Sequence, residues 1–302
     1  MTVAAHPVGE TRSAAAGEPA VVDFVALLKP RVVGLVTFTG LIGLMIAPGD
    51  MHPVLAATAI LCIAVGAGAA GAFNMWYERD IDALMRRTRD RPLPAGRLEP
   101  EPAIAFAIAL ALGAVGIMAL ATNLVAAALL AGSILFYTLV YTVWLKRRTP
   151  QNVVIGGAAG AFPPLIGWAA VTGTVDLMPL VLFAIIFLWT PPHFWALALY
   201  RSEDYARAGV PMLPVVAGAA ATRRHILGYA VLLVAVSLVP GALGAGALYV
   251  TGAAVLGALF VLGAARVALT RDDDGPARQL FGFSIVYLAM LFSLVLIDGG
   301  VA

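Results

Sequence analysis

Charge is scarce in this chain. Only 12% of its 302 residues are Asp, Glu, Lys or Arg, against 61% apolar, and the mean hydropathy is +0.94. Soluble domains carry about a quarter charged residues, so a water-facing domain of this length is excluded and the solvent for most of the surface must be a bilayer. Cysteine is scarcer still. Cys62 is alone, which excludes an intrachain disulfide, leaves the redox compartment unread and makes a packing role its expected one. Period-2 alternation is missing from the Ala-, Gly-, Leu- and Val-rich apolar stretches, which excludes a membrane β-barrel. A cleaved secretory signal is not expected either, because a polar tail, residues 1–20, precedes the first apolar span and holds no convincing cleavage site. That tail is expected to be disordered.

What is there is apolar length. A stretch of about 20 residues crosses a hydrocarbon core of roughly 30 Å, and about nine such windows recur. They cover residues 32–48, 53–76, 103–121, 123–143, 152–171, 178–199, 226–246, 249–268 and 280–298. The expected fold is all-α, a polytopic membrane protein of about nine helices around a central cavity, with residues 21–302 forming one intramembrane domain. Small residues suit close helix approach.

Lys and Arg fall on alternate loops: Lys29 and Arg31, the interval 79–97, 146–148, 201–224 and 266–278, with Arg12 in the tail. The remaining loops carry only Asp50, Asp176 and Asp298. The positive-inside rule then places the N-terminus and the basic loops in the cytoplasm and the C-terminus on the opposite side. A bacterial cytoplasmic membrane is the expected location, and a nucleic-acid partner is not expected.

Two polar intervals, 77–102 and 200–225, resemble each other. Each follows a helix ending in aromatics, opens with acids, and passes through basic residues into Arg91-Pro92-Leu93-Pro94 or Val210-Pro211-Met212-Leu213-Pro214. Proline stops a continuous helix there, so these segments can cap a cavity. A third acidic run, Asp272-Asp273-Asp274, is read as a solvated turn rather than a metal site.

The first interval opens with Asn74, Glu78 and Asp82, whose i, i+4, i+8 spacing puts three oxygen donors on one helical face. Such a set at a membrane border suits a hard divalent cation, Mg²⁺ in particular, shared with phosphate oxygens. Asp80 points elsewhere on an ideal helix, and is either a further ligand or a surface partner of Arg79 or Arg86. The arginines from Arg86 to Arg91 supply donors for a diphosphate, although topology alone explains some of them. The second interval brings Asp204 to another helix end, four residues after Tyr200, where it could complete a second metal position. His193 follows Pro191-Pro192 inside an apolar stretch, where an imidazole needs a partner. It is either a satisfied structural histidine or an axial ligand to haem iron. A transporter path would put polar groups at mid-bilayer, whereas these gather at one face.

On these residues the sequence resembles the UbiA-type intramembrane prenyltransferases across nearly its whole length. The family's Asn-x-x-x-Asp-x-x-x-Asp signature maps to Asn74, Glu78 and Asp82, and its second acidic motif to Asp204. Within the family it is similar to the branch that farnesylates haem, through Leu28-Lys29-Pro30-Arg31, Asp80 to Pro94, Pro191-Pro192-His193-Phe194-Trp195, Asp204-Tyr205 to Pro214, and Tyr137-Thr138 to Asn152. The resemblance implies farnesyl transfer from farnesyl diphosphate to a vinyl group of haem B with addition of water. Prenylation of an aromatic acid or quinone precursor is the alternative. It further implies Mg²⁺ held by Asn74, Glu78, Asp82 and Asp204, diphosphate bound by Lys29, Arg31, Arg91, Lys146 and Arg147, and haem bound by His193. A downstream haem-modifying enzyme is a candidate recipient of the product. Three departures stand out. Glu78 replaces the first Asp of the signature, Asp90 replaces a neutral residue, and Tyr200 takes the first acidic position of the second motif.

Overall fold

The structure, a computed structural model, describes residues 20–270 and 273–298. The tail up to residue 19, with Arg12, and the first acid of the run at 272–274 lie outside the described residues. Among the described residues every regular element is helical.

The long helices are α2 (Pro30–Met45), α3 (Pro53–Tyr77), α5 (Pro100–Ala121), α6 (Leu124–Leu135), α7 (Asn152–Thr172), α8 (Leu177–Leu199), α11 (Gly218–Ser237), α13 (Ala247–Leu269) and α14 (Gly275–Ile297). The short ones are α1 (Val21–Leu27), α4 (Arg79–Leu84), α9 (Ser202–Arg207), α10 (Leu213–Val216) and α12 (Val239–Ala242). Every expected window coincides with one long helix. Eight of those helices are long and apolar enough to cross a membrane, α6 with its continuation to Leu145 and α11 with its continuation to Ala242. The other, α2, has 16 residues, about 24 Å at 1.5 Å per residue, which is short of a hydrocarbon core. The protein is an integral membrane protein.

Local chemistry sets the ends. Pro30, Pro53 and Pro100 occupy first helical turns, where a missing N–H costs nothing. Asn123 caps α6 by accepting from Ala126 N at 2.9 Å, and its Nδ2 donates to Ala169 O at 2.7 Å, which ties the α5–α6 corner to α7. Asp298, at the end of α14, accepts from the backbone N–H groups of Gly246 and Tyr249 at the start of α13.

Neighbouring helices pack in a circuit, α2–α3–α5–α6–α7–α8–α11–α13–α14 and back to α2, with α2 also crossing α7 and α14 lying on α8. Glycine permits the tightest of these crossings. A Cβ on Gly43 would run into the Pro164 backbone, and one on Gly167 would meet Gly40 O and Leu44 N, so α2 and α7 touch through their backbones. In chain order α2, α3, α5 and α6 make one group and α7, α8, α11 and α13 another, closed by α14. Each polar interval lies between the second and third helix of its group and opens with a six-residue helix, α4 or α9.

Candidate active site

The signature residues stay on one face although the helix breaks between them. α3 ends at Tyr77 and α4 starts at Arg79, yet Glu78 N bonds to Asn74 O at 3.0 Å and Asp82 N to Glu78 O at 2.8 Å, so the i to i+4 ladder runs through the break. Asn74, Glu78 and Asp82 are all buried. Each is met by a cation from a different part of the chain. Lys29 Nζ donates to Asn74 Oδ1 at 2.6 Å, Lys146 Nζ to Glu78 Oε2, and Arg91 Nη1 to Asp82 Oδ2 at 2.6 Å.

Three structural devices deliver those cations. Lys29 has the only positive φ (+52°) of any described residue other than glycine. This left-handed link turns the chain from α1 into α2 and carries a strain normally met only where surrounding contacts hold it. α1 is anchored by Asp23, which accepts from Arg97 Nε at 2.9 Å. Lys146 follows a stretch, Phe136–Leu145, in which α6 widens into π-helical turns, with Lys146 N bonded to Tyr141 O at 2.9 Å. Such widening commonly marks a functional site. Here it places buried Thr142 to accept from Asn74 Nδ2 at 3.1 Å. Arg91 lies on the loop after α4, which folds back through Thr88 Oγ1 donating to Asp82 O at 2.9 Å.

Crowding of positive charge has an electrostatic result. Burial, and next the positive charge of Arg91, pull the Lys29 ammonium down to about 7. Burial also works against the Lys146 ammonium, but Glu78 beside it outweighs that and raises its pKa.

The donor set suits a hard cation. It is all oxygen, two carboxylates and a carboxamide, and Glu78 Oε1 is buried with no hydrogen-bond partner, an orphan acceptor that a cation would satisfy. Among the described residues no three His, Cys, Asp or Glu side chains gather as a self-sufficient metal cage. Asp204 is buried too, but its partners are Arg207 at 3.2 Å and Arg201 at 4.0 Å, and no bond joins it to Asn74, Glu78 or Asp82.

Other expected residues lie at the rim. Arg31 is exposed, with no ion-pair partner among the described residues. Arg147 is engaged by Asp80 through bonds of 2.8 and 2.6 Å and lies 5.2 Å over the Tyr77 ring. Asp80 is therefore a surface partner, of Arg147 rather than Arg79 or Arg86. Hydrogen bonding to that guanidinium holds its carboxyl below the usual range. Arg79 instead donates to Trp76 O and stacks on the Trp76 ring.

His193 forms a second constellation. It is buried between two aromatic faces, Trp189 at 4.3 Å one turn back on α8 and Phe281 of α14 at 4.6 Å. Its Nδ1 lies 2.6 Å from Ser284 Oγ, and Ser284 Oγ donates its single proton to Phe281 O at 2.6 Å. With the serine proton assigned to Phe281 O, the serine oxygen accepts from Nδ1–H, and that assignment leaves the Nε2 lone pair free. Nε2 has no hydrogen-bond partner among the described residues. That is the tautomer a metal-binding imidazole needs. Sequence reading missed Ser284, Trp189, Phe281 and Thr142 as site residues. Trp189 alone carried a signal, its i, i+4 spacing from His193.

The fold and this polar cluster define a polytopic intramembrane transferase class, and comparison agrees. Residues 36–291 match the UbiA prenyltransferase family, and the chain belongs to it. More particularly, its relatives include the protoheme IX farnesyltransferase of Granulibacter bethesdensis, 59% identical over 291 residues covering 93% of this chain and 92% of that one. The protoheme IX farnesyltransferase of Rhizorhabdus wittichii is also 59% identical, over 99% of both chains. The fold is shared with a solved structure of digeranylgeranylglyceryl phosphate synthase (TM-score 0.76, 19% identity, 92% of this chain and 98% of that one). It is also shared with a UbiA homologue from Archaeoglobus fulgidus bound to GPP and Mg²⁺ (TM-score 0.62, 16% identity, 90% and 99%). The protein is a prenyltransferase enzyme.

Proposed function

We propose that the protein transfers the farnesyl group of farnesyl diphosphate to a vinyl group of haem B and adds water, releasing diphosphate. The observation that carries the acceptor is the buried imidazole of His193, held 2.6 Å from Ser284 Oγ and walled by Trp189 and Phe281. The names of the relatives support it.

Mg²⁺ held through Asn74, Glu78, Asp82 and Asp204 would neutralise the diphosphate and improve it as a leaving group. Everything else falls to the chain's own side chains. Lys146 and Arg91 balance the charge of buried Glu78 and Asp82, and Lys29 donates to the Asn74 carboxamide. The same ammonium and guanidinium groups would bind phosphate oxygens, with Arg31 and Arg147 at the rim. The apolar bundle keeps the farnesyl tail from water. His193 Nε2 fixes the porphyrin through its iron. The carbon–oxygen bond of farnesyl diphosphate breaks with its electron pair leaving on diphosphate. The terminal vinyl carbon bonds to the farnesyl carbon, and the cation left beside the pyrrole takes water, whose proton is lost to solvent. The Lys and Arg distribution supports a cytoplasmic N-terminus and site in a bacterial inner membrane.

The test is incubation of purified protein in lipid with farnesyl diphosphate, Mg²⁺ and haem B, a parallel reaction with 4-hydroxybenzoate, and mass spectrometry of both acceptors. A haem gaining farnesyl plus water, absent with chelator, is expected. A prenylated benzoate with haem unchanged would replace the acceptor assigned here.

A further inference from the structure

The proposed reaction leaves Tyr200 without a role, although it stands where the family motif has an acid. The structure gives the ring a use that a carboxylate could not have. Arg278, from the first turn of α14, lies 5.0 Å over the Tyr200 ring, and Arg201 lies 5.8 Å from the same ring. Arg278 is exposed and has no carboxylate partner among the described residues, and Arg201 reaches only to 4.0 Å from Asp204, whose nearer partner is Arg207. A guanidinium held over an aromatic face by a cation–π contact has its N–H donors left for a carboxylate. An acid at position 200 would neutralise one arginine, whereas a phenol ring gathers both and leaves their charge unspent.

The pair also lies where a porphyrin's charged edge has to be. Tyr200 caps α8 seven residues beyond His193, about 10 Å further along and on nearly the same face. Phe281 links the two, 4.6 Å from the imidazole and 6.3 Å from the Tyr200 ring. One aromatic wall thus runs from the buried imidazole to the helix end. Anionic groups are costly in hydrocarbon and belong at that end.

We infer that Arg201 and Arg278, seated on Tyr200, form the receptor for the two propionate carboxylates of the haem acceptor. The inference rests on the haem reading above. It also gives the acceptor an orientation. Propionates and vinyls occupy opposite edges of protohaem, so carboxylates held at the rim turn the vinyl edge into the bundle.

The experiment is a Soret titration of the full chain in zwitterionic nanodiscs with haem B and with its dimethyl ester, which lacks the carboxylate charge. Wild type is expected to bind haem B about tenfold or more tighter than the ester. Arg201→Gln/Arg278→Gln should bring the two affinities together, with ester affinity unchanged as proof of an intact pocket. Tyr200→Phe should keep the preference and Tyr200→Leu should reduce it. A double variant that still prefers haem B as wild type does overturns the receptor, and this is also the result if the arginines hold a lipid phosphate. A wild type that perturbs the Soret band of neither porphyrin overturns the haem reading, and this inference with it.

Discussion

Glu78 has one oxygen on Lys146 and the other on nothing, although both are buried. A buried acceptor left unpaired costs roughly 1–3 kcal/mol, a cost tolerated where a bound ligand supplies the partner. Lys29 shows the complementary tension, since burial and the charge of Arg91 bring its pKa to about 7. Its charge is therefore present below that pH and lost above it. The kcat/KM for farnesyl diphosphate should fall as pH rises through about 7, and Lys29→Arg should move that limb to higher pH. A profile unchanged by the substitution would remove Lys29 from diphosphate binding. At His193 the tautomer hangs on one hydroxyl. Ser284→Ala frees the proton to move to Nε2, and haem affinity read from the Soret band should drop about tenfold, with diphosphate binding intact. The signature triad was legible because helical spacing alone puts Asn74, Glu78 and Asp82 together. Lys29, Arg91 and Lys146 were named from the sequence too, but not which residue each meets, since Lys146 and Glu78 are 68 residues apart and no local pattern records that pairing. Ser284, 91 residues from His193, was hidden for the same reason.

Helices were legible wherever apolar composition alone defines them. α11 starts at Gly218 rather than at 226 because hydropathy discounts Arg223, Arg224 and His225, while the backbone goes on pairing through them. The π-helical turns of Phe136–Leu145 left no trace, since the same apolar residues serve either helix type. Contact between α2 and α7 depends on glycine at the crossing. Gly167→Val must separate two backbones and should cost about 1–3 kcal/mol or more, seen as a lower thermal midpoint in detergent. Gly113→Ala, with open space around its Cβ, should be neutral or slightly stabilising. Equal midpoints for the two variants would contradict the close crossing.

At the scale of the whole molecule, two groups of four helices each present a polar interval, and the proposed reaction uses both. The first holds the Asn74–Glu78–Asp82 cluster, and the second, with α14, holds His193, Asp204 and Tyr200. The orientation proposed from the Lys and Arg distribution can be checked in a Cys62→Ala background. Arg89→Cys should label only from the cytoplasmic side and Val175→Cys only from the other, and the reverse pattern would invert the topology. The central claim, that this chain joins farnesyl, haem and water, is tested most directly in heavy-oxygen water. Purified protein is given haem B, farnesyl diphosphate and Mg²⁺, and the haem fraction is weighed by mass spectrometry. Haem carrying one farnesyl group and one labelled oxygen, absent with chelator, is the expected result. Unmodified haem from folded protein, or farnesylated haem without the label, would contradict it.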